Sequence, residues 1–194
     1  MPTANLTKIL LLHLLLGCFF IGKVDIVRAD AETDGQWHIL ETKHTEVRYH
    51  SPKDLKNFNE KIDYSSGLLG IKEIFSKKSS DDLTTKIQLK IDAVYERVKE
   101  ILDMRKLMEK VTVNIYHNKK ELHLAYYEIF KKSCPFRAWY IYELNTIFVR
   151  ADDIHEGMLA HEMAHSIIDH YLSVRPPKAT AEILARYVDG HLFD

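Results

Sequence analysis

The stretch Leu159-Ala160-His161-Glu162-Met163-Ala164-His165-Ser166 constrains this chain more than any other. On a helix, residues four apart lie on one face. His161 and His165 can therefore present both imidazoles to one metal ion. Glu162, one step round, can reach a water beside that ion without binding the ion itself. The neighbouring residues favour a helix that turns the pair inward. Asp153 is a candidate N-cap, with Glu156 as its capping-box partner. Met158, Ile168 and Leu172 share the stripe of the two histidines, and Pro176-Pro177 marks the far end. The competing reading is a pair of core histidines without a metal. It leaves two buried imidazoles short of partners, which is costly.

The flanking chain reads as α+β. Trp37 to His50 is extended, with Thr45, Val47 and Tyr49 alternating against Glu46, Arg48 and His50. Ser51-Pro52 opens a helix as N-cap and first helical residue, and Leu55, Phe58 and Ile62 give it one apolar face. Tyr64 to Ser80 reads as a loop or a short helix. Asp82 to about Met104 is a helix, because Ile87, Ile91, Val94, Val98 and Ile101 recur at helical spacing. Val111 to Tyr116 is a strand. Asn118 caps a helix to about Lys131 with Leu122, Tyr126 and Phe130 inward. Arg137–Tyr142 and Asn145–Arg150 are strands joined by Glu143-Leu144. A last helix runs from about Pro177 to Asp189, with Gly190 as its C-terminal cap. The expected fold is a small twisted mixed sheet of about four strands (45–49, 111–116, 138–142 and 145–150) packed on helices.

The first residues read as a targeting segment. Lys8 precedes an apolar run from Ile9 to Gly22, and Val27-Arg28-Ala29 fits a cleavage site after Ala29. Residues 1–29 are thus expected to be a signal peptide, and residues 30–194 one exported domain, periplasmic or extracellular. Leu14-Leu15-Leu16-Gly17-Cys18 offers a lipobox as an alternative. Membrane attachment would follow only from lipidation at Cys18 or from an uncleaved leader. The formal net charge is −1, which gives no general attraction to nucleic acid. Beyond the leader Cys134 is the single cysteine, so no internal disulfide is expected; it reads as a buried, idle thiol. Oligomeric state is not constrained.

Two histidines leave a tetrahedral zinc site short of a third protein ligand. A third histidine at the metzincin spacing is absent, because Tyr171 stands there and Ile168 replaces the required glycine. Glu182, Asp189 and His191 on the last helix remain. Glu182 is favoured, since sixteen residues separate it from His165, enough to turn at Pro176-Pro177 and run back.

Residues 159–189 resemble the gluzincins, the thermolysin-like and aminopeptidase-like (peptidase MA-like) zinc peptidases. Their glutamate helix often reads Glu-Gly-x-Ala-x-Tyr; Glu182, Ala185 and Tyr187 match at that spacing, and Ile183 replaces the glycine. The resemblance implies a zincin-like fold in which His161, His165 and Glu182 bind Zn2+ and Glu162 is the general base. It assigns Asp189 as a partner behind a ligand histidine, and Ala138–Ile141 as the edge strand along which an extended peptide lies. The chain would be a minimal member without the large C-terminal subdomain of thermolysin.

The implied activity is hydrolysis of peptide bonds in a peptide or protein substrate. Tyr171, Arg186, Tyr187 and His191 are candidate oxyanion donors. A zinc-containing binding module without activity is one rival. A latent form, with the tail from His191 to Asp194 over the metal, is another.

Overall fold

A computed structural model describes residues 36–64 and 82–194. The expected leader, Cys18 and nearly all of the Tyr64–Ser80 stretch lie outside the described residues. The architecture is α+β, with a five-stranded mixed sheet and five helices among the described residues.

The strands are β1 (His38–Glu41), β2 (Thr45–Tyr49), β3 (Val111–Tyr116), β4 (Trp139–Ile141) and β5 (Thr146–Arg150), in spatial order β1-β2-β3-β5-β4. The inner pairs β2–β3 and β3–β5 are parallel; the outer pairs β1–β2 and β5–β4 are antiparallel. The helices are α1 (Pro52–Lys61), α2 (Leu83–Ile101), α3 (Lys119–Phe130), α4 (Glu156–Tyr171) and α5 (Lys178–His191). No helix among the described residues is long and apolar enough to cross a membrane.

Alternation along the strands builds two cores. Val47, Val111, Val113, Ile115, Ile147 and Val149 face one side and are fully buried with Ile87, Ile91, Val94 and Val98 of α2 and with α4. Tyr116, Phe148 and Trp139 face the other side, where α3 covers them through Leu122 and Ala125. Trp139 stacks on Phe148 at 3.7 Å, so the edge strand is fastened by an aromatic cross-strand pair.

Three caps match the expectation. The Ser51 side chain accepts from Asp54 N–H ahead of Pro52, Asp82 accepts from Thr84 and Thr85, and Asn118 accepts from Lys120 and Glu121. Cys134 is a buried free thiol that donates to the Phe136 carbonyl, and burial pushes its pKa up.

Other details differ. The stretch 37–50 is a hairpin rather than one strand, so the sheet has five strands instead of four. Its turn is made by tertiary contact. Thr42 Oγ1 accepts from His44 and Thr45 N–H, and the Asp92 carboxylate on α2 accepts from Thr42 Oγ1 and from Lys43 and His44 N–H. Gly190 lies inside α5 with no left-handed turn. The helix runs on because Leu192 is buried and Arg97 of α2 donates to the carbonyls of His191, Leu192 and Asp194. The same contacts hold the tail on α2, and none of residues 191–194 lines the cleft that opens beside His161 and His165. Phe130 is 41% exposed rather than inward, because it borders that cleft.

Candidate metal centre and its cleft

Helix α4 is positioned by its apolar side. Leu159, Ala160, Met163, Ala164, Ile167 and Ile168 are fully buried in the main core. The i, i+4 pair His161 and His165 is thereby turned to a groove beside α5. The N-cap is His155, whose Nδ1 accepts from Met158 N–H, and not Asp153. Asp153 instead pairs with Arg137 at 2.6 Å and Arg150 at 3.2 Å, and two guanidinium partners outcompete a single N–H for one carboxylate. Glu156 starts the helix and accepts from Asp63 N–H.

His161 Nε2 and His165 Nε2 are 3.3 Å apart. Glu182, from α5, places Oε1 3.8 Å from His161 Nε2 and Oε2 3.5 Å from His165 Nε2. These three residues form the one group among the described residues whose donor atoms could jointly hold a metal. The donor set tests well against zinc. Zinc–nitrogen and zinc–oxygen distances of about 2.0–2.2 Å in a tetrahedron imply ligand–ligand edges of about 3.3–3.6 Å. The two imidazole nitrogens stand at such an edge, 3.3 Å, and the two Glu182 oxygens each face one of them, Oε1 at 3.8 Å from His161 and Oε2 at 3.5 Å from His165, so one donor atom from each residue can gather round a single ion.

The electrostatics favour the ligand forms. Burial, with His161 beside it, lowers the His165 pKa and keeps the ring neutral. Burial on its own would raise the Glu182 pKa. The Arg186 hydrogen bond at 3.0 Å and the two histidines outweigh it, and the net shift is downward.

Glu162 is 8% exposed and lines the same cleft. Burial, and after it the Glu182 charge, push its carboxyl up to about 8. The cleft has a volume of about 650 Å3. Its floor is His161, Glu162 and His165. One wall is aromatic, with Tyr126 and Phe130 of α3, Phe136 and Trp139; the other carries Arg175 and Lys178. Strand β4 forms the lip. It pairs only with β5 in the sheet, leaving its outer edge without a strand neighbour among the described residues.

Of the sequence candidates, His161, Glu162, His165 and Glu182 are brought together. Asp189 is not behind a ligand histidine. Its carboxylate lies against Gly157, in the first turn of α4, where a larger residue would meet it. His191 stacks on Tyr187 at 4.0 Å and bonds the Tyr187 carbonyl, well apart from the triangle. Arg186 is spent on Glu182, and Tyr171, Arg186, Tyr187 and His191 do not line the cleft.

Asp169 and Arg175, which the sequence reading did not single out, also line it, as does Tyr140 of the expected edge strand. Asp169 is one turn beyond His165 on the same face, so helical spacing could have found it. Tyr140 bonds His170 Nε2 at 2.9 Å, and burial raises its pKa. Arg175 sits in the α4–α5 loop, where no periodicity applies. Comparison with known proteins finds no matching family model, no matching curated protein and no matching solved structure.

Proposed function

We propose that this chain is an exported zinc-dependent peptidase of the gluzincin type, with a zincin-like fold, acting on extended peptides. The observation that carries the reading is the grouping of His161, His165 and Glu182, with His–His and His–carboxylate distances of 3.3–3.8 Å, beside the buried Glu162. Two imidazoles from a helical His-Glu-x-x-His pair and one carboxylate suit a catalytic Zn2+ with an open fourth position. When bound, it would supply a Lewis acid that polarises the scissile carbonyl and acidifies water.

The protein's own residues do the rest. The Glu162 carboxylate accepts a proton from the attacking water and returns it to the leaving amine. The free edge of β4 offers backbone groups to an extended substrate, and the cleft bounded by Phe130 and Phe136 shelters its side chains from water.

The test is zinc content and cleavage of an unfolded protein, wild type beside Glu162→Gln. The variant should retain zinc and lose cleavage by roughly 10²–10⁴-fold, the size of general base catalysis. Zinc-loaded wild type that cuts no peptide would replace the peptidase reading with that of a zinc-containing binding module.

A further inference from the structure

The polar wall of the cleft has a construction of its own. Asp169 is 4% exposed and sits one turn beyond His165, about 6 Å along the helix axis. Arg175 Nε donates to Asp169 Oδ2 at 2.9 Å, and Nη2 lies 2.8 Å from the same oxygen. The guanidinium also lies over the Tyr142 ring, 4.4 Å from its centroid, and Tyr142 stacks on His170 of α4 at 4.9 Å. The head group is therefore held on one edge and one face. Its opposite edge keeps further N–H donors, and the side chain is 50% exposed. Lys178 lines the same wall, and no carboxylate among the described residues pairs with it. An arginine serving only to neutralise Asp169 would have no need of the cleft. This one lines the cleft as a preorganised fork.

We propose that Arg175, supported by Lys178, is a specificity residue that binds a carboxylate of the peptide substrate. This rests on the peptidase reading above.

Two features fix the position. First, an extended chain advances about 3.3 Å per residue. Asp169, which holds the guanidinium, is offset from His165 by about two such residues, so the carboxylate is placed about two residues from the bond lying over His161 and His165. Second, β4 runs in the same direction as α4. Arg137, just before β4, meets Asp153 ahead of α4, and Tyr140 within β4 meets His170 near the end of α4. A peptide added antiparallel to β4, the more stable pairing, places its residues before the cleaved bond toward Arg175. The source of the carboxylate is then an Asp or Glu side chain on that side. A peptide in the parallel sense would bring its C-terminal carboxylate there instead.

The experiment uses zinc-loaded full chain and matched peptides. One pair differs by Glu or Gln two residues before the cleaved bond. A second pair differs by a free or amidated C-terminus. Cleavage is read as kcat/KM. Binding of the same peptides, fluorescently labelled, is read separately on the Glu162→Gln protein.

The wild type should prefer Glu over Gln by about tenfold or more, the size of a charge-assisted hydrogen bond. The preference should fall to about one in Arg175→Gln/Asp169→Asn, a pair of changes that leaves no unpartnered carboxylate buried. Lys178→Gln should reduce it partly. A preference for the free acid over the amide, erased by the same double variant, also supports carboxylate binding and identifies the terminus as its source.

Ratios near one for both pairs in the wild type would overturn the proposal, as would a preference that survives the double variant. If no peptide is cleaved, the binding ratios still decide it. A Glu preference in binding without cleavage keeps the carboxylate site and rejects the peptidase.

Discussion

Removing zinc should destabilise the protein by an amount that the site geometry sets. The two imidazole nitrogens already stand 3.3 Å apart, and the Glu182 carboxylate faces both, with one oxygen 3.8 Å from His161 and the other 3.5 Å from His165. Little binding energy is then consumed in rearrangement, and it should appear as stability of the α4–α5 pair. For a ligand that binds only the folded state, stability grows by about 1.4 kcal/mol per tenfold excess over Kd, reaching about 4 kcal/mol at 1,000 Kd. In a chain of this size 1 kcal/mol moves Tm by about 2–4 °C. Each decade of free zinc above Kd should therefore raise Tm by about 3–6 °C, and three decades by about 8–16 °C. The assay is thermal unfolding in zinc-buffered solutions, wild type beside His161→Ala. The variant should give a flat line. A wild-type Tm that ignores free zinc over three decades would refute the argument, as would an equal rise in His161→Ala.

Other outcomes follow from the same contacts. Glu182→Ala should lose most zinc affinity in a competition titration, while Asp189→Ala, whose carboxylate lies against Gly157, should keep it within about twofold rather than losing the 10–100-fold typical of a residue behind a ligand. Burial alone would raise the Glu96 pKa, but hydrogen bonds from Lys43 and His44 hold it down at about 2. Its contribution is therefore full above the unfolded value near 4.5 and is lost as pH falls toward 2; urea unfolding of wild type and Glu96→Gln should differ by about 1–2 kcal/mol at pH 7, after allowing for solvent screening, and converge by pH 2. Expressed from Met1 in a secreting host, the chain should be recovered beginning at Asp30 by intact mass if residues 1–29 are a signal peptide; recovery with residues 1–29 retained would refute that reading, and a lipid adduct on Cys18 would establish the lipoprotein alternative.

What could be read from the sequence was local. Ile87, Ile91, Val94 and Val98 repeat at helical spacing and are all fully buried. Ser51, Asp82 and Asn118 cap because each stands directly before its own helix. The His161–His165 pair belongs to this class too, since i, i+4 spacing on a helix fixes both rings whatever else the chain does. The features missed were those settled by a distant partner. No Gly, Pro or Asn marks the turn at Thr42–His44; Asp92 on α2 supplies the reason for it. Asp153 looks like a cap until Arg137 and Arg150 claim it, and Gly190 looks like a stop until Arg97 ties down the tail beyond it.

The cleft divides the same way. Its floor comes from α4, and Glu182 on α5 completes the candidate ligand set; helical periodicity places all of these residues. Its polar wall depends on Arg175, a loop residue fixed only by what Asp169 and Tyr142 do to it. A floor set by helical spacing tolerates variation in the loop between α4 and α5, because Glu182 needs only to return at the right height along α5. A wall set by one loop arginine does not tolerate it. Changes in the length or sequence of residues 172–177 should therefore leave metal binding intact while altering which peptides the cleft accepts.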